Sequence, residues 1–252
     1  MKLFTPNWAL FALLLPGLAV AQSPVQSPDD GQLSCLIEPS DTSDISSNVP
    51  GVVAQINVER GDRVRKGQAL FRLEDSVERA AVELSKAQAE FAARKVERNQ
   101  QLFTQELISE NERDEIITEH RVAILSMREA EARLEQRTIY SPFSGIVVER
   151  HVSRGEFVSA DPVITVASLD PLYVEVVMRA DYYGMVKKGM RVEVKPENPI
   201  KASYVGKVQI ADQIIDAASG TFGVRVVLNN PDSSLPSGLK CSAHYLTDKE
   251  SK

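Results

Sequence analysis

The clearest helical pattern of apolar positions lies in residues 76–137, a long stretch without glycine or proline. Apolar residues recur there at steps of three and four, which is typical of helices with one apolar seam each. The pattern breaks at residues 105–109, so the stretch is predicted to form a helical hairpin with arms about 40 Å long. Start signals precede both arms, at Asp75 and at the capping box Ser109–Glu112. The predicted seam positions are Val77, Ala80, Ala81, Leu84, Ala87 and Phe91 in the first helix, and Ile116, Ile117, His120, Ala123, Ile124, Met127, Ala130 and Leu134 in the second.

Two segments flanking this stretch, residues 50–73 and 144–167, repeat each other and align without a gap at an offset of 94. Each copy alternates apolar and polar residues between glycine turns, which predicts short half-buried strands. Neither copy can bury its apolar face alone, so the two are expected to pack together and bring Asp75 close to Thr138. The matched positions are Gly51 with Gly145, Val58 with Val152, Arg60-Gly61 with Arg154-Gly155, Asp62 with Glu156, Val64 with Val158, and Leu70 with Ile164.

The region after Ser168 carries a third pattern, of short alternating segments separated by Gly, Pro, Asn and Asp. Five such segments in fewer than 80 residues predict a small antiparallel barrel. The strand candidates are residues 172–178, 190–195, 203–211, 222–228 and 240–246.

The N-terminus has the pattern of a secretory signal in residues 1–21, with Lys2 before an apolar run and Ala19-Val20-Ala21 before the cleavage point. An uncleaved membrane anchor is the alternative, although the run is short for a bilayer span. Residues 22–32 are rich in Ser, Pro, Gln and Asp and are predicted to be a disordered lead-in. Residues 248–252 are read as a tail. We expect the mature chain to be exported and soluble.

Composition and charge narrow the function classes. The formal charge is −6, and without the leader it becomes −7, so binding to nucleic acid or anionic lipid through bulk charge is not expected. No Ser/His/Asp set, paired carboxylates or phosphate-binding loop stands out. The sequence therefore predicts no enzyme activity and no cofactor.

The only two cysteines, Cys35 and Cys241, lie near opposite ends of the mature chain. In an oxidising compartment such a pair is most simply a disulfide, and two buried free thiols are the alternative. A metal site is disfavoured, because no His or further Cys stands at ligand spacing.

Taken together, the repeats resemble the halves of a biotinyl/lipoyl domain. A hairpin splitting those halves resembles the periplasmic adaptor, or membrane fusion, proteins of bacterial efflux and secretion machines. The return into the second repeat, residues 139–147, is close to the family pattern, although Tyr140-Ser141 stands where many members have a small residue. Residues 215–226 resemble the adaptors' barrel. The implied fold is mainly β with a long α-helical hairpin: a lipoyl-like domain of residues 45–75 and 138–168, split by the coiled-coil hairpin 76–137, and then an antiparallel β-barrel in 169–247.

In that fold, residues 33–44 would form a strand that completes the barrel beside residues 240–246. Cys35 would then face Cys241. The sequence ends after the barrel pattern, whereas longer family members continue into a membrane-proximal domain, so the contact on the inner-membrane side stays open.

The resemblance implies a periplasmic adaptor that links an inner-membrane efflux transporter to an outer-membrane channel and contributes to the export of small molecules. A homo-oligomer, hexameric as in the family, is expected. A transporter of the resistance-nodulation-division class is favoured. The alternatives are an adaptor of an ATP-driven exporter or of a type I secretion system, whose members usually carry an N-terminal transmembrane helix, and a free-standing periplasmic coiled-coil scaffold.

Adaptors of this family often carry Arg, Leu and Ser at the hairpin tip, and Arg98, Leu102 and Ser109 have that spacing. By resemblance, Arg98 would bind channel carbonyls or carboxylates, Leu102 would fill an apolar notch, and Ser109 would lie at the turn. Each has a structural alternative: a solvated arginine, a core leucine and a helix cap.

A lipoyl-like fold also raises the hypothesis of an acyl or carboxyl carrier. Such carriers need an exposed lysine in the turn between the halves, and residues 73–76 contain none. Lys66 lies inside the first half and is read as a turn residue. The carrier role is therefore disfavoured.

Overall fold

The computed structural model describes residues 33–197, 200 and 202–246. The predicted signal peptide, lead-in and tail lie outside these described residues. Within them, the chain is mainly β with two α-helices, as predicted: α1 (Ser76–Thr104) and α2 (Glu110–Glu135). The strands are β1 (Leu33–Ile45), β2 (Gly51–Ile56), β3 (Arg63–Val64), β4 (Ala69–Leu73), β5 (Thr138–Tyr140), β6 (Gly145–Arg150), β7 (Phe157–Val158), β8 (Ile164–Arg179), β9 (Arg191–Pro196), β10 (Tyr204–Ala211), β11 (Thr221–Leu228) and β12 (Lys240–Tyr245).

Six strands close into an antiparallel barrel in the order β1-β12-β9-β10-β11-β8, and β8 returns to β1. Alternate residues of these strands point inward, as the period-two pattern predicts. The small barrel expected after Ser168 is therefore confirmed. Its buried core includes Ile37, Leu172, Val174, Val192, Val194, Phe222, Val224, Val226 and Ala243.

The two sequence repeats form a second module, in which strands of one repeat pair with strands of the other. Strand β2 of the first repeat pairs with β7 of the second, and β3 of the first pairs with β6 of the second. The turns are equivalent as well: Gly61 donates its N–H to the carbonyl oxygen of Val147 (2.8 Å), and Gly155 donates to that of Val53 (2.8 Å). Each repeat thus supplies strands that pair with the other, in agreement with the expectation that the two pack together.

Strands β1 and β8 run through both modules without interruption. Their ladder extends from Cys35 opposite Val176 in the barrel to Ile45 opposite Ile164 in the two-repeat module, with one irregularity after Pro39. The strand predicted at 172–178 is longer than expected because its first residues complete the second module. A continuous two-stranded ladder therefore joins the modules in place of a linker.

The two cysteines lie opposite each other where β1 pairs with β12. Both side chains are buried, and Cys35 Sγ and Cys241 Sγ are bonded at 2.11 Å. The bond joins positions 206 residues apart in sequence. It therefore fastens the first described strand of the chain to the last one.

Candidate interaction surface on the helix pair

The helix pair formed by α1 and α2 leaves the two-repeat module where β4 pairs with β5, with Arg72 opposite Thr138. Arg137 follows α2 and donates from Nη2 to Glu78 Oε1 (2.6 Å) and from Nη1 to the Pro50 carbonyl oxygen (3.1 Å). The Arg137 and Glu78 side chains are only 23% and 17% exposed. This ion pair connects the first turn of α1, the end of α2 and the chain leading into β2, so it fixes the base of the helix pair.

The start of α1 differs in detail from the prediction. The helix begins after Asp75 as expected, but the Asp75 side chain makes no capping hydrogen bond. Its carboxylate instead accepts two bonds from Arg79, at 2.9 and 2.8 Å. A bidentate, charge-assisted pair is stronger than a bond to a neutral backbone N–H. The Arg79 hydrogen bond outweighs burial and, aided by the charges of Arg79 and Arg72, holds the pKa of Asp75 below its usual value.

The interface between the helices uses small side chains of α1. Ser85, Ala89 and Ala92 are the buried residues of this helix, and small side chains allow two helices to approach closely. The helices are also bridged by an ion pair between Lys95 and Glu119 (2.5 Å). The seam predicted for α2 is largely confirmed: Ile116 is buried, Ile117 is exposed, and His120, Ala123, Ile124, Met127, Ala130 and Leu134 are half-buried.

The seam predicted for α1 is wrong. Its large members are exposed: Val77 by 75%, Leu84 by 63% and Phe91 by 58%. These three residues, spaced by seven, form a line along one flank of α1, which we name the apolar stripe. Two apolar lines run along this helix, and the line of smaller residues packs against α2. The stripe is therefore available for contacts outside the chain.

The last turn of α1 ends in a Schellman motif. The N–H of Leu107 donates to the Leu102 carbonyl oxygen and the N–H of Glu106 donates to that of Phe103, both at 2.9 Å. This motif places Glu106 in the left-handed region at φ 59°, a position that usually holds glycine because a Cβ is crowded there. The Leu107 side chain is 65% exposed and the Leu102 side chain 38%.

The start of α2 is capped as predicted. Ser109 has extended backbone angles, and its Oγ accepts the N–H of Glu112 at 3.2 Å. Beside it, the guanidinium carbon of Arg113 lies 4.4 Å from the centre of the Phe103 ring and pairs with Asp114. The turn between the helices is thereby held by a cap on one side and a cation–π contact on the other.

The structure brings Arg98, Leu102 and Ser109 to the same end of the helix pair, which we name the tip. Arg98 and Leu102 are one turn apart at the end of α1, and Ser109 begins α2 across the turn; all three are exposed. Leu102 does not fill the helix interface, so its core alternative is disfavoured. The sequence did not identify Glu106 and Leu107 as tip residues. The one local signal for them is that the helical pattern breaks there without a glycine.

Two absences concern the part of the chain that the structure describes. There, no helix is both long and apolar enough to cross a membrane. No group of three or more His, Cys, Asp or Glu side chains in these residues is placed to hold a metal ion. Lys66 lies in the turn between β3 and β4, where its N–H donates to Ser144 Oγ (3.0 Å).

Relatives of the chain are named as parts of efflux pumps. It is 24% identical over 213 residues to the antibiotic efflux pump periplasmic linker protein ArpA of Pseudomonas putida, a match that covers 78% of this chain and 57% of that protein. It is 25% identical over 226 residues to the multidrug efflux pump subunit AcrA of Escherichia coli, covering 78% and 57%. The chain thus spans little more than half the length of these relatives.

The fold is also found in a solved structure, a MacA-MexA chimeric protein that contains the Pseudomonas aeruginosa MexA α-hairpin domain. The two superpose with a TM-score of 0.73 at 20% identity over 85% of this chain and 77% of that one. The family model of the CzcB-like barrel-sandwich hybrid domain matches residues 41–168, which comprise both repeats and the helix pair. The resemblance to adaptor proteins noted in the sequence is thereby confirmed. The chain belongs to the CzcB-like barrel-sandwich hybrid domain family.

Proposed function

We propose that this protein is a periplasmic adaptor that links an inner-membrane efflux transporter to an outer-membrane channel. It contributes to the export of small molecules by binding both partners. A transporter of the resistance-nodulation-division class is the favoured inner-membrane partner. The relatives named as efflux-pump periplasmic linkers support this proposal. In this role, the two-repeat module is a lipoyl-like domain and the helix pair is the hairpin that reaches the channel.

The observation that carries the proposal is the exposed tip. Arg98 and Leu102 expose one cation and one apolar side chain near the end of α1, and Ser109 caps α2 across the turn. Among the described residues, no carboxylate lies within 4 Å of the Arg98 guanidinium, so its charge is free to meet an external acceptor. Arginine is enriched at protein–protein interfaces, and the exposed leucine beside it adds apolar area that a partner can cover.

The apolar stripe supports a second part of the proposal, self-assembly into a ring that we take to be hexameric. Val77, Leu84 and Phe91 lie on a single flank, while the other flank of α1 carries the charged residues Glu83 and Lys86. If the stripe of one copy meets the other flank of its neighbour, the contact is head-to-tail. Such head-to-tail contacts close into rings when the rotation allows.

Photocrosslinking in living cells tests the adaptor role. A photoreactive residue at Leu102 is expected to trap an outer-membrane channel, identified by mass spectrometry. The matched control is a photoreactive residue at Leu125, which is also apolar and 52% exposed but lies in the middle of α2. If Leu102 yields only crosslinks to copies of this chain, at native expression and with the channel present, the protein is a free-standing scaffold and the adaptor proposal is wrong.

The proposal places the mature protein in the periplasm after removal of residues 1–21. N-terminal sequencing of the exported protein is expected to begin at Gln22. A mature chain that retains its apolar leader would instead indicate a membrane anchor.

A further inference from the structure

Glu106 holds a backbone conformation that does not suit its side chain. It lies at φ 59° in the Schellman motif that ends α1, where glycine is the favoured residue. An L-residue with a Cβ is disfavoured there by contact with the following carbonyl oxygen. Within the described residues, Ser233 at φ 50° is the one other non-glycine residue with a positive φ, and it lies in a barrel loop. Glycine at position 106 would therefore make the tip more stable.

The Glu106 side chain makes no compensating contact within the described fold. It is exposed, and no described Lys, Arg or His lies within 4 Å of its carboxylate. The nearest cation along α2, Arg113, is already paired with Asp114 and stacked on Phe103. The carboxylate therefore adds charge to the tip without stabilising it.

The position of this charge is informative. Glu106 lies in sequence between Leu102 and Leu107, the two exposed leucines whose backbones are joined by one of the motif's two hydrogen bonds. A charge beside apolar contacts becomes shielded from water when a partner covers the leucines, and an ion pair made there is stronger than one in open solvent. Arg98 brings the opposite charge one turn before Leu102, so the tip presents a cation and an anion on the two sides of an apolar contact.

We propose that Glu106 is a specificity-determining contact of the tip and pairs with an arginine or lysine side chain at the periplasmic end of the channel. This inference rests on the proposed adaptor function. The charge pair Arg98 and Glu106 fixes which channels match: one that presents an acceptor for Arg98 and a cation for Glu106 binds, and one that lacks the cation is rejected.

Three variants of the chain separate charge from backbone strain. Glu106→Gln keeps the strained backbone and removes the charge. Glu106→Gly removes both, and it is expected to raise the melting temperature by about 2–4 °C. Ser233→Gly is the matched control, because it relieves the same kind of backbone conformation far from the tip.

The measurement is the yield of channel crosslinks from a photoreactive residue at Leu102, in living cells at equal expression. We expect Glu106→Gln and Glu106→Gly to lower this yield about tenfold, which corresponds to the loss of one charge-assisted contact. Ser233→Gly is expected to leave the yield unchanged. A more stable Glu106→Gly protein that docks less well is the result that a merely structural role cannot produce.

Two other results would contradict the proposals. Wild-type yields in both Glu106 variants overturn the inference and leave the adaptor function intact, whereas absence of channel crosslinks from the wild-type chain overturns both. A Glu106→Arg variant tests the partner: rescue by an acidic substitution of a channel lysine or arginine supports the assignment. Rescue by Arg98→Glu in the adaptor itself would place the contact between neighbouring copies and overturn it.

Discussion

Gly51 and Gly145 begin equivalent strands of the two repeats, but their surroundings differ. A Cβ added at Gly145 would lie 2.3 Å from the carbonyl oxygen of Ala167, whereas one added at Gly51 would meet Arg137 Nη1 at 3.0 Å and Leu73 Cδ1 at 3.1 Å. Side-chain atoms can move by a few tenths of an ångström, and a backbone carbonyl fixed in a strand cannot. The symmetry of the sequence is broken here because β6 packs beside β8, the strand that continues into the barrel.

Alanine at these two positions should therefore have unequal effects. Gly145→Ala is expected to destabilise the protein by about 1–3 kcal/mol, because β6 must move away from β8. Gly51→Ala is expected to cost less, since the ends of the Arg137 and Leu73 side chains need to shift by only a few tenths of an ångström. Urea denaturation of both variants measures the difference. Equal losses of unfolding free energy would contradict the proposed backbone clash at Ala167.

The architecture could be predicted from the sequence because the sequence carries strong periodic patterns. The gapless repeat at residues 50–73 and 144–167 predicted two half-modules that must pack together, and the structure pairs their strands reciprocally. Ser109 was recognised as a cap because its oxygen and the N–H three residues later form a local bond. A repeated pattern and a bond between residues three positions apart can both be read directly from the sequence.

Three details were not predicted. The first depends on packing between the two helices, and the other two depend on local contacts that the pattern did not specify. Leu84 and Phe91 outweighed Ala89 in the predicted seam because they are more apolar, but packing favoured the smaller side chain. Asp75 has the sequence context of a cap, yet the longer-reaching Arg79 offers it a stronger bond. Glutamate is disfavoured in the left-handed region, so the residue type at position 106 did not predict a left-handed turn.

The apolar stripe predicts how copies of the chain associate. Phe91→Asp should weaken self-association at least fivefold, because burial of one large apolar side chain contributes about 1.5–3 kcal/mol. Lys66→Asp is the control, since this exposed residue lies in the turn between β3 and β4, outside the helix pair. Sedimentation velocity at several concentrations measures the association, and circular dichroism checks that both variants fold. If both variants associate like the wild type, the stripe is not a contact between copies.

The bond between Cys35 and Cys241 predicts a redox-dependent stability. Reduction of freshly exported protein should add two hydrogens to its mass. Because the bond closes a loop of 206 residues, replacing both cysteines by alanine should lower the unfolding free energy, by at most about 5 kcal/mol on the chain-entropy model. Denaturation with and without reductant measures this loss. A mass unchanged by reduction would mean that the exported protein holds two free thiols.

The Asp75 carboxylate at the base of α1 predicts an acid-dependent loss of stability. The Arg79 hydrogen bond lowers the pKa of Asp75 in the folded state, whereas in the unfolded chain this group titrates near its usual value of about 3.9. The folded state therefore binds fewer protons than the unfolded state in this range. The stabilisation is complete above about pH 5 and is lost as the pH falls through the lowered folded-state pKa.

Asp75→Asn should accordingly be less stable than the wild type at pH 7, and the difference should shrink as the pH is lowered towards 3. Asp114→Asn is the control, because it removes an ion pair whose carboxylate is 66% exposed, and such surface pairs contribute little to stability. Urea denaturation at pH steps between 3 and 7 gives the unfolding free energies. A constant gap between Asp75→Asn and wild type across that range would mean that Asp75 stabilises the helix base through its shape and packing, with its charge playing no part.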